Sequence, residues 1–158
     1  MTKILMICMG NICRSPMAEG VLHALAQQQG RLGEIEMDSA GTHGNYHAGE
    51  PPDPRAVAVA AKRGYTQLPR QRSRQLLDAD FERFDLLIAM DRQNLDNLRR
   101  QCPPEHQHKL HLLLEFAPQL GVDEVPDPYY GNVAGFERVL DLCESGVSGL
   151  LAHLTGAQ

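Results

Sequence analysis

Nine consecutive residues, Cys8-Met9-Gly10-Asn11-Ile12-Cys13-Arg14-Ser15-Pro16, combine types that could do chemistry on an anion. A thiol stands where an apolar run ends. Gly10 and Asn11 both tolerate left-handed backbone, so a tight loop can turn its N–H groups inward. Arg14, Ser15 and Pro16 would open a helix, and a ring of backbone donors on a helix N-terminus is an anion site. Arg14 adds a planar two-pronged donor that matches two phosphate oxygens. The same positive field favours the thiolate of Cys8, and a thiolate beneath a bound phosphate is a nucleophile aimed at phosphorus. The motifs GxxxxGK[ST] and GxGxxG, which build other phosphate loops, are absent. The bare Cys-x5-Arg spacing also fits a buried cysteine ahead of a helix-opening arginine. The Gly-Asn pair and the trailing Ser-Pro favour the anion loop.

The elements that must hold this loop alternate along the chain. Lys3 to Cys8 is a short apolar run, expected to be a strand buried on both faces. Pro16 to Gln29 places Met17, Val21, Leu22, Leu25 and Ala26 on one helical face and stops at Gly30. Glu34 to Ala40 reads as a second strand, and Asp53-Pro54 as an N-cap with proline at the first helical position. Phe84 to Met90 and Leu110 to Phe116 are expected to be the third and fourth strands, with a helix over Asp91 to Gln101 between them. Asn132 to Leu154 has the apolar spacing of a long closing helix, which Gly146 and Gly149 could interrupt. Such alternation implies an α/β fold: one domain over residues 1–158, with a doubly wound, four-stranded parallel sheet and helices on both faces. Ligands of such sheets bind at the carboxyl ends of the strands, which is where Cys8 falls.

Composition agrees with a folded chain of this kind. The 158 residues are 42% hydrophobic and 22% charged, with 14 glycines and 10 prolines, which excludes collagen-like and disordered classes. The net charge of −5 gives no general footprint for nucleic acid, so an anion must be caught locally. No apolar run approaches the ~18 residues of a membrane span. Four scattered cysteines do not form a secreted disulfide framework, and a reducing, cytoplasmic setting is expected.

Cys8-x-Gly-Asn-Ile-Cys-Arg-Ser-Pro16 resembles the phosphate-binding loop of the low-molecular-weight protein tyrosine phosphatases, in its bacterial form. The likeness continues through Asp38-Ser39-Ala40-Gly41-Thr42, Pro52-Asp53-Pro54-Arg55-Ala56, Ser73-Arg74-Gln75-Leu76, Asp91 and Asp127-Pro128-Tyr129-Tyr130. It implies a hydrolase of phosphotyrosine and aryl phosphate monoesters working through a phosphocysteine intermediate, without metal or organic cofactor. By that resemblance Cys8 is the nucleophile, Arg14 the phosphate clamp and Asp127 the general acid and base. Met9, Gly10, Asn11, Ile12, Cys13, Arg14 and Ser15 bind phosphate, while Asn11, Ser15 and Ser39 support the loop. Ile12, Tyr46, Tyr129 and Tyr130 wall the cleft, and Cys13 is the redox partner of Cys8. The partner implied is a tyrosine-phosphorylated protein, a bacterial tyrosine kinase by analogy, with inhibition by phosphate-like oxyanions and no nucleic-acid or membrane partner. Ile12 together with the tandem tyrosines points to phosphotyrosine rather than phosphoarginine. The chain departs from the family at Gln71, where histidine is frequent, and at Ser73, where alanine is.

Other readings carry less. Arsenate reduction on this fold needs a pair of relay cysteines after the third strand, and only Cys102 lies there. A non-catalytic phosphotyrosine-binding module would lack Cys8, Arg14 or Asp127. Cys102, His106, His108 and His111 are metal-ligand types without a ligand frame. His43 and His47, in a glycine-rich loop, could line the cleft, with a place on the surface as the plainer reading. Arg70, Arg72 and Arg74 form a basic stretch that could favour acidic peptides, with a solvated face as the plainer reading.

Overall fold

The computed structural model describes residues 1–154; positions 155–158, the end of the expected domain, lie outside the described residues. Strand β1 (Thr2–Cys8) is central, and buried from Ile4 onward. It pairs in parallel with β2 (Ile35–Gly41) on one side and β3 (Leu86–Ala89) on the other. Beside β3 lies β4 (Leu110–Leu112), also parallel, giving the order β2-β1-β3-β4. Alternate residues of β1 feed two cores, as a period of two demands. Ile4 and Met6 pack with α1 (Arg14–Gln28), α2 (Pro54–Lys62) and α5 (Val133–Leu154). Leu5 and Ile7 pack with α3 (Asp80–Arg83) and α4 (Arg92–Gln101) on the other face. The chain steps from β1 outward to β2, then returns across β1 to β3. The carboxyl end of β1 is therefore the topological switch point.

Local chemistry explains several element ends. The Asp53 carboxylate accepts the Arg55 N–H at 2.8 Å to start α2, with Pro54 at the first helical position. Asp91 accepts the Asn94 N–H at 2.8 Å to start α4. Asn132 stands just outside α5, its carbonyl accepting the Gly135 N–H at 3.0 Å. Gly30, at φ 67°, ends the turn that follows α1.

Two expectations about the C-terminal half are corrected. The fourth strand ends at Leu112 rather than Phe116, because Glu115 reaches back to accept the Leu112 N–H at 2.8 Å. That contact caps a 3₁₀ turn over Leu113–Phe116, which sends Leu113 and Leu114 into the same core, where successive residues of a strand would face opposite ones. Helix α5, in turn, runs unbroken through Gly146 and Gly149. Its glycines serve close packing on that same turn: a Cβ at Gly149 would stand 1.8 Å from the Phe116 carbonyl oxygen, and one at Gly146 would stand 2.6 Å from Leu113. The helix tolerates their low propensity because the backbone approach requires it.

Among the described residues no group of three or more His, Cys, Asp or Glu could hold a metal ion. His111 faces Glu115 at 3.2 Å and packs its ring against Phe116. Cys102 is buried in the core of the opposite sheet face from Cys8, and Cys143 is buried in α5, where desolvation pushes its thiol up to about 12.

Candidate active site

The loop that leaves β1 is shaped from outside. The Cys8 carbonyl accepts from the Thr42 N–H at 2.9 Å, and the Met9 carbonyl from the His43 N–H at 2.8 Å. Ser73 Oγ donates to the Gly10 carbonyl at 3.0 Å, and the Asp53 N–H to the Ile12 carbonyl at 2.8 Å. Cys13 is tied to helix α1 through the Met17 N–H at 3.1 Å. A trans peptide sets each carbonyl opposite the next residue's N–H. Tying these carbonyls outward therefore turns the N–H groups of Met9, Gly10, Asn11, Cys13 and Arg14 toward the enclosed side. The crowding is close: a Cβ at Gly41 would stand 2.5 Å from the Met9 carbonyl oxygen.

Asn11 is the one non-glycine among the described residues with positive φ, at 58°. Its side chain explains how that conformation is held. Nδ2 donates to Ser15 Oγ and to Ser39 Oγ, each at 2.9 Å, and Oδ1 accepts the Arg74 N–H at 3.0 Å. Ser15 Oγ in turn lies 3.0 Å from Cys8 Sγ. The two departures from the family pattern fall into this network. Ser73 holds Gly10, and Gln71 donates to the Pro16 carbonyl at 3.0 Å while facing Ser39 at 3.5 Å.

Arg14 is buried beneath the loop. Its Nη1 donates to Asp91 Oδ2 at 2.6 Å and to the Val125 carbonyl at 3.1 Å. Burial alone would lower its pKa, but Cys8, Asp91 and Asp127 around it outweigh that and raise it. Asp91 therefore caps α4 with one oxygen and aims the guanidinium with the other, a double role that its place after β3 did not reveal. Asp127 stands farther off, its Oδ2 3.8 Å from Arg14 Nη2 and its side chain 41% exposed. Its Oδ1 accepts the Tyr129 N–H at 3.0 Å.

These groups converge on a cleft of about 370 Å³ lined by Cys8, Arg14 and Asp127 below and by aromatic rings above. Tyr129 and Tyr130 meet edge to face, with centroids 5.0 Å apart. Tyr130 and Tyr46 are almost wholly exposed. Ile12 and Cys13 line the same cleft, and burial pushes the Cys13 thiol well up, keeping it protonated. His43 and His47 line it too, one of the two readings the sequence left open but not the plainer one; His47 Nδ1 sits 2.6 Å from Glu50. Arg74 is not available to a peptide, since it pairs with Asp38 at 3.1 Å and with Asp80 at 2.9 Å. All the residues expected at the site thus stand at the cleft or in the network beneath it.

With this geometry in place, the profile of the family described as Low molecular weight phosphotyrosine protein phosphatase matches residues 3–158. The chain belongs to that family. It is 44% identical over 153 residues to the low molecular weight protein-tyrosine-phosphatase of Streptomyces coelicolor, covering 95% of this chain and 92% of that protein. Among solved structures, the protein tyrosine phosphatase of Entamoeba histolytica with Hepes in its active site superposes with a TM-score of 0.94. It is 38% identical, with 99% of this chain and 98% of that chain covered. YfkJ from Bacillus subtilis gives a TM-score of 0.90 at 35% identity, with coverage of 100% and 97%. The phosphatase fold of these relatives is the four-stranded sheet described above, and the chain is a protein-tyrosine-phosphatase.

Beneath the phosphatase loop lies one group that the sequence did not single out. Glu19 of α1 is buried, its Oε2 accepting from Gln67 Nε2 at 2.6 Å and its Oε1 without a partner in hydrogen-bond geometry. Burial raises its pKa against the smaller opposing pulls of Gln67 and Ser39. A carboxyl protonated in both folded and unfolded chains costs nothing. As pH climbs past the unfolded value the unfolded chain ionises first, so the folded state loses stability until the folded pKa is passed. Glu19→Gln is therefore expected to raise Tm by a few degrees at pH 7–8 and to leave it unchanged near pH 4. Thermal unfolding of both proteins across that range checks this, and an equal shift at both ends would contradict it.

Proposed function

We propose that this phosphatase acts on tyrosine-phosphorylated protein with Cys8 as nucleophile, Arg14 as phosphate clamp and Asp127 as general acid and then base. One observation carries the assignment: Cys8 Sγ lies in the cleft, 3.0 Å from Ser15 Oγ, under a loop whose carbonyls at Cys8, Met9, Gly10 and Ile12 are drawn outward. The inward N–H groups and Arg14 would hold three phosphate oxygens and stabilise the charge that spreads over them in transfer. The Cys8 thiolate then bonds to phosphorus as the bond to the phenolic oxygen breaks, and Asp127 gives that oxygen its proton. In the second half Asp127 takes a proton from water as it attacks phosphorus. The thiolate leaves, stabilised by a hydrogen bond from Ser15. Asn11 and Ser39 keep the loop in shape throughout, while Ile12, Tyr46, Tyr129 and Tyr130 flank the substrate ring.

The finer readings follow from the same site. A cleft built for a phosphate dianion would take phosphate-like oxyanions as inhibitors, and the Entamoeba relative carries the sulfonate buffer Hepes in its active site. Cys13, protonated beside Cys8 in one cleft, supports a role as the thiol that captures an oxidised Cys8. Four unpaired cysteines, and no helix among the described residues long and apolar enough to cross a membrane, fit action in the cytoplasm, where a bacterial tyrosine kinase is the protein partner proposed.

The test is phosphate release from matched phosphotyrosine, phosphoserine and phosphoarginine peptides. Release confined to phosphotyrosine is expected. Preference for phosphoarginine would overturn the reading of Ile12 and the tandem tyrosines, and no release from any would reduce the loop to an anion site.

A further inference from the structure

The segment that carries Asp127 is held at both ends, and only one holder belongs to the phosphate-binding machinery. On its N-terminal side the Val125 N–H donates to the Met90 carbonyl at 2.8 Å, while Arg14 grips the Val125 carbonyl. On its C-terminal side the holder is Arg55 of α2. Arg55 Nη2 donates to the Tyr129 carbonyl at 2.9 Å, and Nη1 to the Gly131 carbonyl at 3.3 Å. The Tyr129 N–H is meanwhile the donor to Asp127 itself. One residue's two backbone groups therefore join the acid to Arg55.

Arg55 is itself fixed on three sides. Asp53 accepts from Nε at 3.1 Å and from Nη2 at 2.8 Å, a fork that also holds the Asp53 carboxyl below the usual range. The guanidinium lies over the Phe136 ring at 4.6 Å and the Tyr129 ring at 5.8 Å. The Asp53 N–H, finally, is the donor that holds the Ile12 carbonyl. A continuous path thus runs from the phosphate loop through Asp53 and Arg55 to the peptide that positions the acid.

We infer that Arg55 is a positioning residue that latches the acid-bearing loop to the phosphate loop and sets the reach of Asp127 toward the leaving oxygen; this rests on Asp127 as general acid. No other side chain could replace it at this point. Lysine offers one centre of charge, and cannot span a carboxylate and two carbonyls while lying flat on two rings.

The test reads proton delivery separately from phosphate binding. Phenyl phosphate needs a proton on its leaving oxygen far more than p-nitrophenyl phosphate does. Arg55→Met is expected to lower kcat/KM, which reports the step that expels the leaving group, by about 10- to 100-fold on phenyl phosphate, with a loss below about threefold on p-nitrophenyl phosphate. The inhibition constant of inorganic phosphate is expected to hold, and Arg55→Lys to restore little. Arg63→Met is the control: Arg63 caps the same helix and pairs with Glu137, Asp141 and Glu144 of α5, touching neither loop. It is expected to change neither ratio. An equal loss of kcat/KM on both substrates, or phosphate binding weakened in step with it, would overturn the latch. Asp127→Asn run alongside separates the two failures. If it shows the leaving-group dependence and Arg55→Met does not, the latch alone falls; if Asp127→Asn lacks it, both fall.

Discussion

Cys8→Ser is expected to abolish turnover of aryl phosphates, by about 10⁴- to 10⁶-fold, while inorganic phosphate binds at least as tightly as to the native enzyme. The two halves have different causes. Chemistry is lost because a serine hydroxyl under the same donors stays protonated, and its shorter bond to Cβ moves the attacking atom away from phosphorus. Binding survives because the anion is held by backbone N–H groups whose carbonyls are tied to residues 42, 43, 53 and 73, none of which the substitution touches. Single-turnover phosphate release and calorimetric titration with phosphate measure the two separately. Turnover near the native rate would remove Cys8 as nucleophile, and loss of phosphate binding would show that the thiol shapes the loop.

Asp127→Ala is expected to slow phosphotyrosine hydrolysis by about 10²- to 10⁴-fold. Two carboxylates stand near Arg14, and geometry divides their work. Asp91 is in contact at 2.6 Å, and its other oxygen caps α4, so it is fixed. Asp127 is looser, at 3.8 Å from Arg14 and open to the cleft, so its oxygen can meet a substrate. Turnover of phosphotyrosine and p-nitrophenyl phosphate, followed across pH, gives the result. An unchanged rate on phosphotyrosine would assign proton transfer elsewhere.

How far the site could be read from the chain depended on whether its parts were local. Cys8 to Pro16 was legible because loop, helix start and nucleophile are consecutive, and Asp53-Pro54 because an N-cap is written in two residues. Asp127 was legible only beside the resemblance, since Asp-Pro alone is a turn. The second role of Asp91 was not, because its oxygen meets Arg14 across 77 positions of sequence. Gly149 looked like a helix weakness, because its purpose is the carbonyl of Phe116 on another element. Glu115 ended β4 by a side-chain contact that apolar patterning does not encode. Arg74 looked like a solvated charge until Asp38 and Asp80 enclosed it. In each case the missing information was a neighbour supplied by the fold.

The outward ties of the phosphate loop have a consequence for how the enzyme comes into being. Their donors lie at Thr42, His43, Asp53 and Ser73, and the holders of Arg14 at Asp91 and Val125. The nucleophile is therefore synthesised before the groups that give it a working environment, with the acid-bearing segment the last of them. Because β1 is an interior strand, pairing must close loops on both of its sides before those ties exist, and such distant closures come slowly. Bound phosphate, which only the finished loop can hold, draws the equilibrium toward completion in proportion to its concentration. Hydrolysis by this chain is in that sense a signal that assembly has ended.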